Sequence, residues 1–371
     1  MFLNNTHGSN FDDCARYFYW SRETPILGGP GGLTTKWIDD NLAWGQIVHV
    51  SLAELYAERG TAESFEAGRE YCLTEPQINF EGMAFDEKNK WLDHLEWIER
   101  IIYAYDRYRV DDDFSVIQLE SEGCVVLGEV CYSCGVAYPN LSGPEQIDFH
   151  LCTKCRAEVH HWVFRIDMEV NRNGRSYIVD HKTTRSASDT YLASWHTSHQ
   201  LLGYSYGVKK YSGRDIRGYG VNIIRKLKSI GSDKSDTRVC PDCRNGSRKK
   251  LSCSECNFTG RVKRDIRPSD SPFQREWEGY NDADGERFVL HRLSTIERIK
   301  QERERFETEP EIAWPMNHKR CYAYNRACAF IKLCHRTSTD WHNPPIELLD
   351  NLQPNPVDYV NIKEMAKEEM E

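Results

Sequence analysis

From His160 to Thr184 apolar and polar residues alternate twice, in HHWVFRIDMEV and again in YIVDHKTT, with NRNGRS between them. Alternation at a period of two predicts two strands, and the Asn/Gly link predicts a tight hairpin turn. The period then lengthens: HTSHQLLGYSY places His196, Gln200 and Tyr204 on one face of a predicted helix. Upstream, residues 36–57 and 87–108 carry helical patterns, and Leu42, Gly45 and His49 share a face of the first. Residues 114–119 read as a strand ending at Glu120, 216–224 as another strand and 288–305 as a charged helix, with a Pro/Asp/Gly-rich linker at 268–286. The glycine loop at 28–32 lacks the Lys-Ser/Thr that follows a phosphate-binding loop and reads as a turn. Strands interleaved with helices predict an α/β protein.

Composition changes this picture little, but charge and cysteine change it substantially. The 371 residues are 39% hydrophobic and 28% charged, enough for one large domain or two, with no apolar run long enough to span a membrane. The opening MFLNNTHGSNFDD lacks a basic segment followed by an apolar core, so a cytoplasmic location is expected. A net charge of −9 argues against a nucleic-acid partner until its distribution is read. Residues 206–267 hold 17 Lys/Arg against 6 Asp/Glu, a local +11 that leaves −20 elsewhere. Such a region supplies a DNA footprint, or is a solvated basic loop.

Fourteen cysteines in a reducing compartment point to metal rather than disulfides. Cys131/Cys134 and Cys152/Cys155 are Cys-x2-Cys pairs 17 residues apart, the spacing of a four-cysteine zinc ribbon. Cys240/Cys243 and Cys253/Cys256 are nine apart and resemble, locally, the zinc modules of DnaJ-type chaperones. Arg248, Lys249, Lys250, Lys263 and Arg264 surround this second set and would face phosphates, unless the module is only a metal-stapled loop. Cys14, Cys321, Cys328 and Cys334 form a third group, while Cys72 and Cys124 read as small buried residues.

The candidate chemistry lies in the predicted hairpin. Asp180 and Lys182 point to one face with His181 turned away, and Asp167 falls beside Asp180 when the strands pair. A buried Asp-Asp-Lys cluster is costly without a further purpose, so a divalent metal is its natural resident.

Asp167, then Asp180-His181-Lys182, then Gln200-x3-Tyr204, preceded by Gly45-x3-His49, resembles the PD-(D/E)XK nuclease superfamily. More narrowly it resembles the RecB-like branch, with its AddB nuclease domains, CRISPR-associated exonucleases and many phage nucleases. The resemblance implies a restriction-endonuclease-like core, a mixed central sheet flanked by helices, over residues 1–334, with zinc insertions at 131–155 and 240–256 and a peripheral tail at 335–371. It implies a DNA nuclease, an exonuclease by preference, working in replication, recombination or repair. His49, Asp167, Asp180 and the His181 backbone carbonyl would bind Mg²⁺ or Mn²⁺. Lys182 would orient water or stabilise charge, with Gln200 and Tyr204 positioning the strand or the lysine. Glu120 falls where relatives carry a glutamate at the edge of the site, although an ordinary strand-end carboxylate fits equally. Cys14 and Cys321-x6-Cys328-x5-Cys334, with Phe330 between, would hold a 4Fe–4S cluster; a third zinc or free thiols are the alternatives. Two rivals stay open: a zinc scaffold that binds nucleic acid without cutting, and a nuclease subunit dependent on a helicase or recombination partner, since the chain has no Walker A motif.

Overall fold

A computed structural model describes residues 1–24, 32–139, 141, 143–227, 237–239, 261–263, 272–322, 327–334, 341, 342, 344 and 346–354. Cys240, Cys243, Cys253, Cys256, Arg248, Lys249, Lys250 and Arg264 lie outside these residues, and of Lys263 only the backbone strand is described.

The strands are β1 (Phe2–Leu3), β2 (Leu33–Thr35), β3 (Ser115–Val126), β4 (His161–Arg172), β5 (Arg175–Thr184), β6 (Ile216–Arg225), β7 (Thr237–Val239), β8 (Arg261–Lys263), β9 (Phe273–Gly279) and β10 (Leu352–Pro354). The helices are α1 (Asn5–Asp13), α2 (Ala15–Phe18), α3 (Asp40–Tyr56), α4 (Thr61–Thr74), α5 (Phe85–Arg109), α6 (Glu145–Asp148), α7 (Asp189–Ala193), α8 (His199–Ser212), α9 (Asp282–Thr308) and α10 (Ile331–Cys334). A mixed six-stranded sheet runs β1-β4-β5-β6-β9, with β3 also on β4, while β2 pairs with β10 and β7 with β8.

The β4–β5 hairpin turns at Asn173 (φ 53°) and Gly174 (φ 75°), the two left-handed positions that this link predicts. Pairing from that turn stops at Met168–Val179, and beyond it the two strands part. Since β3 covers one edge of β4 from Asn171 to His161, the short parallel β1 at His161–Trp162 takes the other edge, below the fork.

Two apolar layers cover the sheet. On one face α3, α4 and α5 pack Ile47, Leu52, Ile98 and Ile102 against Met168, Val179 and Ile224. On the other, the α8–α9 side gathers Trp162, Phe164, Ile166, Ile178, Val221 and Phe288 with Phe11 and Trp314. The inward parity of β4 changes at Asp167: Ile166 belongs to the second layer and Met168 to the first. Opposite Asp167, Glu120 takes φ 46°, a left-handed conformation costly for a residue with a Cβ.

Three predicted boundaries move. The strand expected to end at Glu120 runs on to Val126. The expected linker holds β9, and α9 starts at Asp282 because Asn281 and Asp284 cap each other's backbone N–H groups, at 3.2 and 3.0 Å. His196 leaves the predicted helix: extended Ser198 starts α8 at His199, and His196 sits in a 3₁₀ turn facing Glu278.

Candidate active site

Asp167 and Asp180 face each other where β4 and β5 part. The opening frees the His181 backbone N–H, which donates to Asp167 Oδ2 at 2.6 Å. From the first helical layer, His49 brings Nδ1 to 3.3 Å from Asp167 Oδ1. Helix α3 approaches this closely because Gly45 lies against β5: a Cβ there would stand 3.2 Å from Thr183 Oγ1. On the opposite side, Lys182 Nζ lies 2.5 Å from Asp180 Oδ2. Gln200 at the start of α8 donates to Tyr204 Oη at 2.8 Å and reaches Asp180 Oδ1 at 3.4 Å. The structure thus brings together His49, Asp167, Asp180, Lys182, Gln200 and Tyr204. As the alternation requires, His181 points the other way, its ring stacked on Tyr56 and bonded to Asn222.

Electrostatics separate the two carboxylates. Burial works against the Asp167 charge, but His49, His181 and Lys182 outweigh it and hold its carboxyl below the ordinary range. Burial, reinforced by Asp167, pushes Asp180 up despite Lys182. Burial also opposes the charges on His49 and Lys182, yet the facing carboxylates raise both. His181, sealed from solvent, is pushed down to about 3 and stays neutral. Glu120 is raised by burial and by Asp167 while Arg165 donates to it at 2.9 Å, so it stands at the edge of this site.

One imidazole and two carboxylates are hard donors suited to a divalent ion. Asp180 Oδ2 is buried without a well-directed hydrogen bond, although the Lys182 ammonium stands beside it, so this oxygen is left for a stronger partner. The donor set is open rather than closed: among the described residues only Cys131, Cys134, Cys152 and Cys155 draw their ligand atoms within 4.8 Å of one another. Reading of the sequence missed Trp195 and Tyr191, which wall the site. The Trp195 ring centre is 5.4 Å from Lys182 Nζ, and Tyr191 packs on Trp195 edge to face. Their spacing of four, just before the segment read for His196, Gln200 and Tyr204, was the available signal.

The Cys131–Cys155 quartet is built as two like knuckles. Gly135 N–H bonds the Cys131 carbonyl at 2.8 Å and Arg156 N–H the Cys152 carbonyl at 3.0 Å, with Gly135 and Arg156 both left-handed. Sulfur atoms stand 3.5 Å apart for Cys131–Cys155 and 3.6 Å for Cys134–Cys152, close to the ~3.8 Å edge of a tetrahedron with zinc–thiolate bonds. The Cys155 and Lys154 backbone N–H groups pull the Cys152 thiol down, while the neighbouring sulfurs of the quartet push the Cys155 thiol up. Buried Gln146 ties the module to the core by accepting from Val126 N–H and donating to the Lys210 carbonyl.

The third group also converges. Cys14 Sγ accepts from Asn317 N–H at 3.3 Å, and Cys328 N–H donates to the Cys321 carbonyl at 2.7 Å. Burial raises the Cys321, Cys328 and Cys334 thiols, and neighbouring members of the set raise them further. Phe330 is buried against Tyr17.

No curated protein sequence matches the chain. Among solved structures it is similar to a Eubacterium rectale protein provisionally designated an exonuclease, at 12% identity and a TM-score of 0.38 over 81% of each chain. The profile of the PD-(D/E)XK nuclease superfamily matches residues 3–335, nearly the full span in which the paired aspartates, the lysine and the converging helices were found. The chain belongs to the PD-(D/E)XK nuclease superfamily.

Proposed function

We propose that this chain is a metal-dependent deoxyribonuclease of the RecB-like branch, acting on single-stranded or end-containing DNA as an exonuclease. One observation carries the reading: His49, Asp167, Asp180 and Lys182 meet at the fork between β4 and β5, with Gln200 and Tyr204 closing one side. His49, Asp167, Asp180 and the His181 carbonyl would hold Mg²⁺ or Mn²⁺. When bound, the ion supplies a nucleophilic water and neutralises charge on the scissile phosphate. Asp167, held ionised, and His49, once deprotonated, offer the ion its donors. Lys182, held charged beside Asp180, is placed to orient the water or to stabilise the extra negative charge of the transition state. Gln200, held by Tyr204, reaches Asp180, and the two would position the DNA strand or Lys182.

The cysteine sets carry structural metals in this reading. The ribbon quartet fits one zinc, and a second zinc belongs to Cys240, Cys243, Cys253 and Cys256. For Cys14, Cys321, Cys328 and Cys334 the reading is a 4Fe–4S cluster, with a third zinc as the alternative that elemental analysis separates. The test is end-labelled single- and double-stranded DNA incubated with Mg²⁺, Mn²⁺ or chelator, for wild type and Asp180→Ala. Cleavage that needs the ion and Asp180 is expected. Binding without cleavage under every condition would favour a nucleic-acid scaffold, and cleavage only with an added motor protein would favour a helicase-dependent subunit.

A further inference from the structure

Behind the fork, on the face away from Lys182, lies a buried polar array that the chemistry above does not use. Register places Asn222 of β6 beside His181 of β5. Asn222 is fully buried; its amide donates to Tyr105 Oη at 2.6 Å and to His181 Nδ1 at 2.7 Å. Its carbonyl faces Arg275 Nη2 at 3.5 Å, and a cation on that side turns the amide protons towards the tyrosine and the imidazole. Arg275 pairs with Asp112 at 2.6 Å, the two side chains 8% and 10% exposed, and donates to the Tyr56 and Tyr105 hydroxyls at 3.3 and 3.1 Å. The Tyr56 ring stacks on His181 at 5.8 Å and 15°, and His49 meets the same imidazole edge to face.

Apolar side chains could fill this volume without the desolvation cost of an ion pair and four further polar side chains. What the array does is hold one imidazole in one orientation and one tautomer, with Nδ1 accepting and the proton on Nε2. That imidazole belongs to the residue whose N–H holds Asp167 and whose chain neighbours are Asp180 and Lys182. With its ring held by Asn222 and its N–H held by Asp167, the His181 backbone has little freedom to turn, and it spaces all three.

We propose that Asn222 is a positioning residue: by donating to His181 Nδ1, with Arg275 and Asp112 behind it, it locks the backbone segment that carries the metal-binding carboxylates. What is positioned rests on the metal-site reading above; the locking itself does not. Asn222→Asp keeps the shape but replaces the donor by an acceptor, and Asn222→Leu removes both. The probes are Mn²⁺ binding to the DNA-free full chain by calorimetry, with Asp180→Ala as reference, and side-chain ¹⁵N NMR of His181. Expected are a bare Nδ1 on His181 in wild type, a protonated Nδ1 in Asn222→Asp, and Mn²⁺ affinity weakened about tenfold or more in both variants. A His181 that keeps a bare Nδ1 in Asn222→Asp, or variants that bind Mn²⁺ within about twofold of wild type, would overturn the proposal. A wild type that binds no Mn²⁺ overturns the metal-site reading instead, and the tautomer still decides the locking. Should Asn222→Leu fail to fold, the isosteric Asp variant carries both measurements.

Discussion

Replacing Lys182 by methionine keeps most of the unbranched side chain and removes its charge. Asp180 then stands 3% exposed without the ammonium that was 2.5 Å away. At an effective dielectric of 20 the missing attraction is roughly 7 kcal/mol, a gross figure that partial hydration of Lys182, 21% exposed, reduces. Asp180 also has an escape, since it can take up a proton. From an ordinary value of 3.8, protonation at pH 7 costs at most about 4.4 kcal/mol, and at pH 5 about 1.6 kcal/mol. The sign follows: a carboxyl raised in the folded state incurs no penalty below its unfolded pKa, and the penalty grows as pH rises towards the folded value. Lys182→Met should therefore lose about 3 kcal/mol at pH 7 and markedly less at pH 5. Adding Asp180→Asn should recover most of the loss. Urea unfolding without added divalent cation measures this directly. The same variant should bind Mn²⁺ more tightly, because no ammonium competes for Asp180 Oδ2, while cleavage falls by orders of magnitude. An equal loss at both pH values, or weaker Mn²⁺ binding, would refute the reasoning.

Four further outcomes are expected. Since Asp167 outweighs burial and raises His49, a bound ion must displace a proton from the ring: Mn²⁺ affinity should climb about one decade per pH unit below the His49 pKa and flatten above it, and His49→Ala should remove the slope. The His49–Asp167 pair itself stabilises the fold fully below the unfolded histidine pKa of 6.5 and loses that effect as pH rises through the folded value, a trend that pH-dependent unfolding reads. Cys131→Ser should release one zinc by elemental analysis and speed hydrogen exchange at Val126, whose N–H donates to Gln146 Oε1. Neutralising Lys249, Lys250, Lys263 and Arg264 together should flatten the salt dependence of DNA binding by about 0.9 for each phosphate that is no longer neutralised; an unchanged slope would assign that charge to another partner.

The site was legible in the sequence where its geometry is local. Period-two alternation put Asp180 and Lys182 on one face, and Asn173-Gly174 set the register that brings Asp167 opposite. Gln200 and Tyr204, one helical turn apart, meet as their spacing requires. Where interactions run between distant segments, the sequence is silent. Nothing local announces that the Tyr56 and Tyr105 hydroxyls meet Arg275 behind the fork, because those residues come from two helices and an edge strand. The left-handed Glu120 was equally hidden, since a strand pattern carries no mark of one reversed φ. His196 was misplaced because a 3.6-residue period continues through Ser198 even though the backbone does not. The sequence placed β9 in a linker because its polar, charged run looks like one; only pairing with β6 makes it a strand.

The two cysteine insertions bear on the site through topology. β4 begins, and β5 and β6 end, at the same end of the sheet, because β4–β5 is antiparallel and β5–β6 parallel. Residues 127–160 connect β3 to β4 there, and the chain that leaves β6 after Arg225 re-enters as β9 at Phe273, opposite Ile224. The β4–β5 ladder breaks at Met168–Val179 and opens towards that end, so both insertions are rooted on the side towards which the fork opens. The root of the second is direct: Lys226 N–H bonds the Thr184 carbonyl, two residues beyond Lys182. The fork stays open there with β1 paired to His161 and Trp162 on the edge of β4 that β5 leaves, and with the His181 N–H turned to Asp167, so part of the missing ladder is made good by the N-terminal strand and by the site itself. The first cysteine module braces the β3–β4 connection that carries it: its Gln146 accepts from the Val126 N–H of β3 and its carbonyl faces the His161 ring of β4, so the sheet holds this insertion with the Val126–His161 pairing intact.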